Sequence, residues 1–176
     1  MSTFISGGAK NGKSYYAQRM AKAGGTPLYY IATMIPHDGE DDARIARHRA
    51  EREGWGFETI ECGRDILSCL DRADPGGSFL LDSVTALLSN EMFTPKGIDL
   101  AAGDRVAEAL AEFVRCAPKA VLVSDYIYSD AMLYDELTEA YRAALARVDR
   151  RLAACCDNVI EVAAGRIVVH KGVLPL

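Results

Sequence analysis

The sequence predicts an α/β protein built on a mostly parallel sheet that helices cover. Strand-like and helix-like segments alternate along its 176 residues. The segments Ser78–Asp82 and Lys119–Asp125 are apolar almost throughout, as is typical of parallel strands that are buried on both faces. The last two strand-like segments, Asn158–Val162 and Arg166–Lys171, are separated by a short turn. We therefore expect a C-terminal antiparallel hairpin at one edge of the sheet.

Three further strands are predicted in the first third of the chain. Short runs rich in β-branched, aromatic and other apolar residues, bounded by glycine, proline or charged residues, favour strands. These runs are Thr3–Ser6, Pro27–Ala32 and Phe57–Glu61.

Helices are predicted between the strands, where apolar residues recur at spacings of three and four. The clearest stripe runs from Leu133 to Leu152 and predicts a helix over Ala131–Cys156. Pro95 and Gly97 mark Thr94–Asp99 as an exposed loop. The other predicted helices are Lys13–Ala23, Asp38–Glu53, Arg64–Ala73, a helix that follows Asp82 and runs to about Met92, and Leu100–Arg115.

Length and composition indicate a single domain spanning residues 1–176. The net charge of −5 predicts no surface for nucleic acid, and no apolar run is long enough for a membrane span. The N-terminus has no signal-peptide pattern, and the five cysteines form neither a C-x-x-C motif nor a disulfide framework. We therefore expect a cytoplasmic protein with reduced thiols.

The segment after the first predicted strand carries the most informative motif of the chain. It reads Gly7-Gly8-Ala9-Lys10-Asn11-Gly12-Lys13-Ser14 and fits G-x-x-x-x-G-K-[ST] in full, between a strand and a helix. Backbone N–H groups of such a loop wrap nucleotide phosphates. Lys13 is expected to reach the β- and γ-phosphates, and the Ser14 hydroxyl to bind Mg²⁺. A glycine-rich turn followed by an unrelated Lys-Ser pair is the disfavoured alternative.

A phosphate loop of this type needs a second oxygen ligand for its metal, which is usually a carboxylate at the end of a neighbouring strand. Asp82, at the end of Phe79-Leu80-Leu81, is the first candidate. Asp125, at the end of the strand that follows Lys119, is the second. The alternative role of Asp82 is to cap the helix that follows it, and the two roles are compatible.

A basic segment lies between the second and third predicted strands. On a helix, Arg44, His48 and Arg52 share one face, because they are spaced by four residues. A neutral imidazole between guanidinium groups is suited to attack a phosphorus atom. A solvated basic helix, with Glu40–Arg44 and Arg47–Glu51 ion pairs, explains the same spacing, and the spacing alone favours it.

Short motifs follow one another over almost the whole chain. Besides the phosphate loop they are Tyr30-Ile31-Ala32-Thr33, Arg44-Ile45-x-x-His48-Arg49-x-x-Arg52, Thr59-Ile60-Glu61, Leu80 to Thr85 with Leu88-Ser89-Asn90, and Arg147 to Ala153. In order and spacing this set resembles the bifunctional adenosylcobinamide kinase/adenosylcobinamide-phosphate guanylyltransferase family of cobalamin biosynthesis. The phosphate loop alone is common to many families, whereas its combination with Tyr-Ile-Ala-Thr and the arginine-flanked histidine is far more specific.

The resemblance implies a single-domain P-loop NTPase fold of the RecA-like type, assembled as a cytoplasmic homotrimer. It implies that ATP or GTP phosphorylates adenosylcobinamide, that GMP is then transferred from GTP, and that Mg²⁺ assists. By motif position His48 becomes the residue that carries GMP, with Lys13 as the second catalytic residue. The implied nucleotide-binding residues are Gly7 to Ser14, Ala32, Thr33, Met34, Arg49, Ala50, Glu51, Arg52, Glu61 and Asp82, with Ser14 and Asp82 as metal ligands.

One segment departs from the family pattern. Where many members carry Asn-Glu-Val-Gly, this chain has Asp125-Tyr126-Ile127-Tyr128-Ser129-Asp130. Two alternative functions remain open at the level of the sequence. One is a P-loop small-molecule kinase without a covalent intermediate, and the other is a nucleotide-binding regulatory module.

Overall fold

The computed structural model describes residues 1–36, 45–46, 49–50 and 52–175. Most of the predicted helix Asp38–Glu53 lies outside the described residues. Within that range, residues 45, 46, 49 and 50 are helical. None of the described helices is both long and apolar enough to cross a membrane.

Apart from two short strands at the predicted loop Thr94–Asp99, the strands follow the predicted positions closely. They are β1 (Thr3–Gly7), β2 (Leu28–Ala32), β3 (Glu58–Glu61), β4 (Ser78–Asp82), β5 (Phe93–Thr94), β6 (Gly97–Ile98), β7 (Ala120–Asp125), β8 (Asn158–Ala163) and β9 (Arg166–Lys171). Among the described residues, seven of them form one sheet in the order β3-β2-β4-β7-β1-β8-β9. Neighbours in this sheet are parallel except β8 and β9, so the predicted antiparallel edge hairpin is confirmed.

Helices cover both faces of the sheet. The α-helices are α1 (Lys13–Ala23), α2 (Val84–Met92), α3 (Ala102–Cys116) and α4 (Glu136–Cys155). The arrangement is an α/β fold with a mostly parallel sheet, consistent with a P-loop NTPase. The segment predicted as a helix over Arg64–Ala73 forms a 3₁₀ helix, Ile66–Arg72.

Alternate residues of each central strand enter two separate cores. Phe79 and Leu81 of β4 pack with residues of α2, α3 and α4, whereas Leu80 packs on the opposite face with Met20 of α1. All four side chains are almost fully buried. This two-sided burial explains why the strand is continuously apolar, and it fixes α1 against one face of the sheet.

The predicted loop Thr94–Asp99 is instead organised around a small antiparallel hairpin of β5 and β6. The Thr94 hydroxyl accepts a hydrogen bond from the Lys96 N–H and donates one to the Gly97 carbonyl, which closes the turn. Gly97 has φ 131°, a conformation that other residues rarely adopt. The proline and glycine therefore mark a tight turn within a hairpin rather than an irregular loop.

Helix α4 begins at Glu136, five residues after its predicted start at Ala131. The Asp135 carboxylate accepts hydrogen bonds from the N–H groups of Leu137 and Thr138, both at 3.0 Å, and so caps the helix. Residues 126–135 form a loop from β7 to α4, named here the β7–α4 loop. Apolar residues at helical spacing, such as Leu133, extend to the N-terminal side of the observed helix start. The Asp135 cap, and not the apolar spacing, therefore marks where the helix begins.

The parallel register brings the carboxyl ends of six strands to one edge of the sheet. Gly7 of β1 lies opposite Asp125 of β7, and Ala32 of β2 lies opposite Asp82 of β4. In open α/β sheets, ligands bind beyond this edge. The sequence motifs therefore meet in space at the position where this architecture binds its ligands.

Candidate active site

The predicted phosphate loop forms the turn from β1 into α1. Gly12 precedes the helix with φ 93°, a left-handed conformation that glycine adopts without strain. Gly7 leaves no room for a side chain, because an added Cβ would meet Asn11 and the carbonyl of Val162. Gly12 has no side chain to cap α1, and the N–H of Lys13 donates to Asn11 Oδ1 of the loop at 3.3 Å. This backbone is suited to bind phosphate.

Lys13, the first residue of α1, is held inside the loop. Its side chain is only 5% exposed, and Nζ lies 2.6 Å from Asp125 Oδ1. Nζ also donates to the carbonyl of Gly8 at 2.6 Å and approaches Asn11 Oδ1 at 3.4 Å. The loop therefore contains a buried positive charge whose position is fixed by three oxygen atoms.

Asp125 was predicted only as the second carboxylate of the site, yet it makes the direct contact with the phosphate loop. Its carboxylate pairs with Lys13, and its N–H donates to the Thr85 hydroxyl at 3.0 Å. The contact follows from the strand order, because β7 is the neighbour of β1 and Asp125 lies opposite Gly7. Strand order is not readable from a local motif.

Asp82 lies at the same edge, on β4, which β7 separates from β1. Its Oδ2 accepts a hydrogen bond from the Tyr30 hydroxyl at 2.9 Å. The alternative role of Asp82 as a helix cap is wrong: Ser83 caps α2, with its hydroxyl accepting from the Ala86 N–H at 3.2 Å. The Asp82 carboxylate is therefore not used to cap the helix.

The predicted segment Ala32-Thr33-Met34 lies at the carboxyl end of β2 and is hydrogen-bonded to Ser83, the residue that follows β4. The Thr33 hydroxyl accepts from the Ser83 N–H at 2.6 Å and donates to the Ser83 carbonyl at 2.8 Å. Asn90 of α2 donates to the Thr33 carbonyl at 2.7 Å. Because Thr33 is fully buried and its side chain is engaged in this way, it shapes the edge of the site.

A cavity of about 910 Å³ lies beside β3, within the size range of small-molecule sites. Arg49 and Glu61 form an ion pair in its lining, with Arg49 Nη2 at 2.6 Å from Glu61 Oε1. Its lining comprises Arg49, Ala50, Arg52, Glu53, Gly54, Gly56, Phe57, Thr59 and Glu61. The structure thus brings together Arg49, Ala50, Arg52 and Glu61, four of the predicted nucleotide-binding residues.

Arg52 connects this cavity to Asp82. Its guanidinium lies over the Tyr30 ring, 3.4 Å from the centroid, and is almost fully buried. The hydroxyl of the same tyrosine donates to Asp82. Stacking on an aromatic face stabilises a desolvated guanidinium. Two of the predicted site residues are therefore joined through Tyr30, a residue to which the sequence analysis gave no role.

The predicted catalytic residue His48 and the predicted nucleotide-binding residue Glu51 lie outside the described residues, as does Arg44 of the same predicted helix face. Their described neighbours Arg49 and Arg52 line the cavity.

A buried carboxylate that the sequence analysis missed lies behind Asp125. Asp149 of α4 accepts hydrogen bonds at Oδ2 from the Ser124 hydroxyl at 3.1 Å and from the Tyr128 hydroxyl at 2.9 Å. Its Oδ1 is buried and has no hydrogen-bond partner among the described residues. Burial raises the pKa of Asp149 to about 6, although both hydrogen bonds act in the opposite direction. A sequence signal existed, because Asp149 occupies the apolar stripe of α4 between Leu145 and Leu152.

The strand, the phosphate loop and the buried lysine at the edge of a parallel sheet define a P-loop nucleotide-binding protein. A family model described as "Cobinamide kinase / cobinamide phosphate guanyltransferase" matches residues 3–169 of the chain. The chain belongs to this family, named CobU, and is accordingly an enzyme of adenosylcobalamin biosynthesis with kinase and guanylyltransferase activities.

Curated bacterial proteins resemble the chain over nearly its whole length. The bifunctional adenosylcobalamin biosynthesis protein CobU of Salmonella typhimurium is 34% identical, covering 94% of this chain and 97% of the relative. The bifunctional adenosylcobalamin biosynthesis protein CobP of Pseudomonas aeruginosa is 33% identical, with 98% of both chains covered. The Escherichia coli protein CobU is 30% identical, covering 94% and 97%.

Asp149→Asn tests whether the buried carboxyl group makes folding pH-dependent. The folded-state pKa, about 6, lies above the ordinary value of 3.8, so the folded state binds this proton more tightly. The stability from this group is complete below about pH 4 and is lost as the pH rises through about 6. We expect the wild-type protein to lose on the order of 1–2 kcal/mol from this group between pH 5 and pH 8, and the variant to lose less.

Urea unfolding at several pH values measures the difference. Asp104→Asn is the matched control, because it removes an exposed carboxylate from α3. An unchanged pH dependence in Asp149→Asn would assign the effect to another group.

Proposed function

We propose that both reactions of the family use one nucleotide site, built on the phosphate loop, and that His48 carries the guanylyl group. The supporting observation is the buried ammonium of Lys13, fixed inside the loop by Gly8 and Asp125. Each reaction begins with a nucleoside triphosphate. One cationic loop can bind the phosphates of ATP or GTP alike, because it contacts none of the atoms that distinguish the bases.

In the kinase reaction, the hydroxyl group of the aminopropanol arm of adenosylcobinamide attacks the γ-phosphorus of the nucleotide and forms an O–P bond. The bond from that phosphorus to the β,γ-bridging oxygen breaks, the nucleoside diphosphate leaves, and the hydroxyl proton is released to solvent. Negative charge then develops on the oxygen atoms around the γ-phosphorus. Lys13 and the backbone N–H groups of the phosphate loop stabilise this charge. A bound phosphate competes with Asp125 for Lys13 Nζ, so the ion pair holds the lysine in position until nucleotide binds.

In the guanylyl transfer, a ring nitrogen of His48 attacks the α-phosphorus of GTP, an N–P bond forms, and pyrophosphate leaves. A phosphate oxygen of adenosylcobinamide phosphate then attacks the same phosphorus, and the N–P bond breaks. Arg49 and Arg52, which line the neighbouring cavity, neutralise charge on the phosphates. The two displacements remove the need to align two bulky substrates at once.

The nucleotide is proposed to extend from the phosphate loop along the carboxyl edge of the sheet toward the arginine-lined cavity. The link from Arg52 through Tyr30 to Asp82 supports this path, because it joins the cavity to that edge. The residues proposed to contact nucleotide are Gly7 to Ser14, Ala32, Thr33, Met34, Arg49, Ala50, Glu51, Arg52, Glu61 and Asp82.

The donor groups at this edge fit Mg²⁺, because hydroxyl and carboxylate oxygens are the ligands it prefers. We assign it to Ser14 and Asp82, since the Asp125 carboxylate is engaged by Lys13. The described residues contain no group of three or more His, Cys, Asp or Glu side chains placed to hold a metal. Bound Mg²⁺ neutralises phosphate charge.

We further propose a cytoplasmic homotrimer whose partners are the corrinoid and nucleotides, without nucleic acid. The family resemblance supports the trimer. The net charge of −5 supports the absence of a nucleic-acid surface.

The covalent step predicts that GTP labelled in the α-phosphate transfers its label to His48. A phosphoramidate bond is stable in alkali and labile in acid, so the label should show this behaviour. His48→Ala should lose the label and the guanylyl transfer but keep kinase activity, because phosphorylation of a hydroxyl needs no histidine intermediate. Label retained by His48→Ala would contradict the assignment, and a wild-type protein that never takes up label would favour a kinase without a covalent intermediate.

Lys13→Ala tests the single nucleotide site. Both activities should fall by about 10²-fold or more, because one ammonium stabilises phosphate charge in each reaction. Steady-state rates of the two reactions measure the loss. Lys13→Ala combined with Asp125→Asn controls for the unpaired carboxylate left by the single variant, and Arg115→Ala controls for the loss of an exposed cation. Loss of phosphorylation with guanylyl transfer intact would require two nucleotide sites.

Asp82→Asn tests the metal assignment. The amide oxygen can still accept from the Tyr30 hydroxyl, so folding stability should change little while the negative charge is lost. We expect turnover to fall and the Mg²⁺ concentration for half-maximal activity to rise about tenfold or more. Asp125→Asn, measured in parallel, should leave that concentration nearly unchanged. The reverse pattern would move the metal ligand to Asp125.

A further inference from the structure

The β7–α4 loop exposes the side chains of three consecutive large residues, Met132, Leu133 and Tyr134. Leu133 is 97% exposed, the highest value among the exposed large apolar residues of the described chain. A leucine in full contact with water contributes nothing to folding through burial. Met132 and Leu133 thus present an apolar surface that the fold itself does not bury.

Buried contacts hold this loop in one shape. Arg142 of α4, itself almost fully buried, donates to the carbonyl of Ile127 at 3.0 Å and to Asp130 Oδ1 at 3.0 Å. Its guanidinium also lies over the Tyr134 ring, 4.6 Å from the centroid, and the Tyr134 hydroxyl donates to Asp130 Oδ2 at 3.1 Å. Since these contacts flank Met132 and Leu133, the two side chains project from an anchored segment.

The same loop begins against the phosphate loop. Its first residue, Tyr126, follows Asp125 directly, and its N–H donates to the Gly7 carbonyl at 3.2 Å. A Cβ added to Gly8 would lie 4.0 Å from the Tyr126 ring. The loop therefore emerges at the carboxyl edge of the sheet, beside the place where a nucleotide presents its terminal phosphate.

A kinase must hold its acceptor beside that phosphate. The acceptor of this family is a corrinoid, a large macrocycle whose rim carries methyl groups and amide-bearing arms. We propose that the β7–α4 loop is the corrinoid-binding element of the enzyme, with Met132 and Leu133 packed against the methyl-bearing rim. The Tyr134 hydroxyl and the Asp130 carboxylate, hydrogen-bonded to each other on the same loop, are the polar groups proposed to meet the amide arms. This assignment rests on the proposed kinase reaction.

Leu133→Ser and Met132→Ser test the proposal through kinase kinetics with adenosylcobinamide. Loss of one buried apolar contact should raise the KM for the corrinoid about tenfold. The KM for ATP should not change, because the proposed contacts of these two side chains are with the corrinoid and not with the nucleotide. Leu133→Met should restore the wild-type KM. Equilibrium dialysis of cobinamide, without nucleotide, should show the same loss of affinity in the absence of turnover.

Val173→Ser is the matched control. Val173 is 56% exposed, and its N–H donates to Asn158 Oδ1. Asn158 is the first residue of β8, at the amino ends of the parallel strands and away from the carboxyl edge where the phosphate loop lies. This variant should behave as the wild-type protein.

Three results would overturn the assignment. The first is an unchanged corrinoid KM in both serine variants. The second is an equal rise in the KM for ATP, which would place the loop in the nucleotide site. The third is a change in oligomeric state by light scattering with the corrinoid KM unchanged, which would identify a second copy of the chain as the occupant. A wild-type protein that binds cobinamide in dialysis but does not phosphorylate it would instead refute the kinase reaction and leave the binding surface standing.

Discussion

The ion pair between Lys13 and Asp125 is the contact on which the arrangement of the site depends. It joins the phosphate loop after β1 to the carboxyl end of β7, the neighbouring strand. The lysine is almost fully buried, so its charge requires a close negative partner to offset desolvation. The pair also keeps the ammonium pointing into the loop. A bound phosphate supplies the same negative charge and can take over that partner role.

Helices packed on the two faces of the sheet position different parts of the site. On one face, α1 packs through Met20 against Leu80 and so fixes the helix that starts with Lys13. On the other face, α2 and α4 support the ends of β4 and β7. Ser83 caps α2 directly after Asp82, and Thr85 of the same helix accepts the N–H of Asp125. Both strand-end carboxylates are therefore positioned by packing that lies outside the site itself.

Asp149 is a further buried group that positions residues of the site from outside it. It holds Ser124, the residue before Asp125, and Tyr128 of the β7–α4 loop. One buried carboxyl group thus connects the strand that contacts Lys13 to the segment that exposes Leu133. Such a group costs stability when ionised, and its hydrogen bonds offset only part of that cost. Its hydrogen bonds to Ser124 and Tyr128 keep the loop aligned with the strand end.

The sequence by itself determined the features that depend on local pattern. The phosphate loop could be predicted because Gly7 and Gly12 meet backbone requirements that few other residues satisfy, and because Lys13-Ser14 follows at the required spacing. The strands were readable because burial on both faces requires continuous apolar runs, as in Ser78–Asp82. Family membership followed from the order of several such motifs and agrees with the family match.

Only the tertiary structure decided which side chains meet. Asp125 contacts Lys13 because β7 lies beside β1, and strand order depends on packing over the whole chain. Helix α4 starts at Glu136, because the Asp135 side chain turns back on the helix while the apolar spacing continues past it. The Arg52–Tyr30–Asp82 link joins residues that are far apart in sequence. The spacing of apolar residues shows which face of a helix or strand is buried. Contacts between side chains that are distant in sequence depend on how those buried faces pack together in the folded chain.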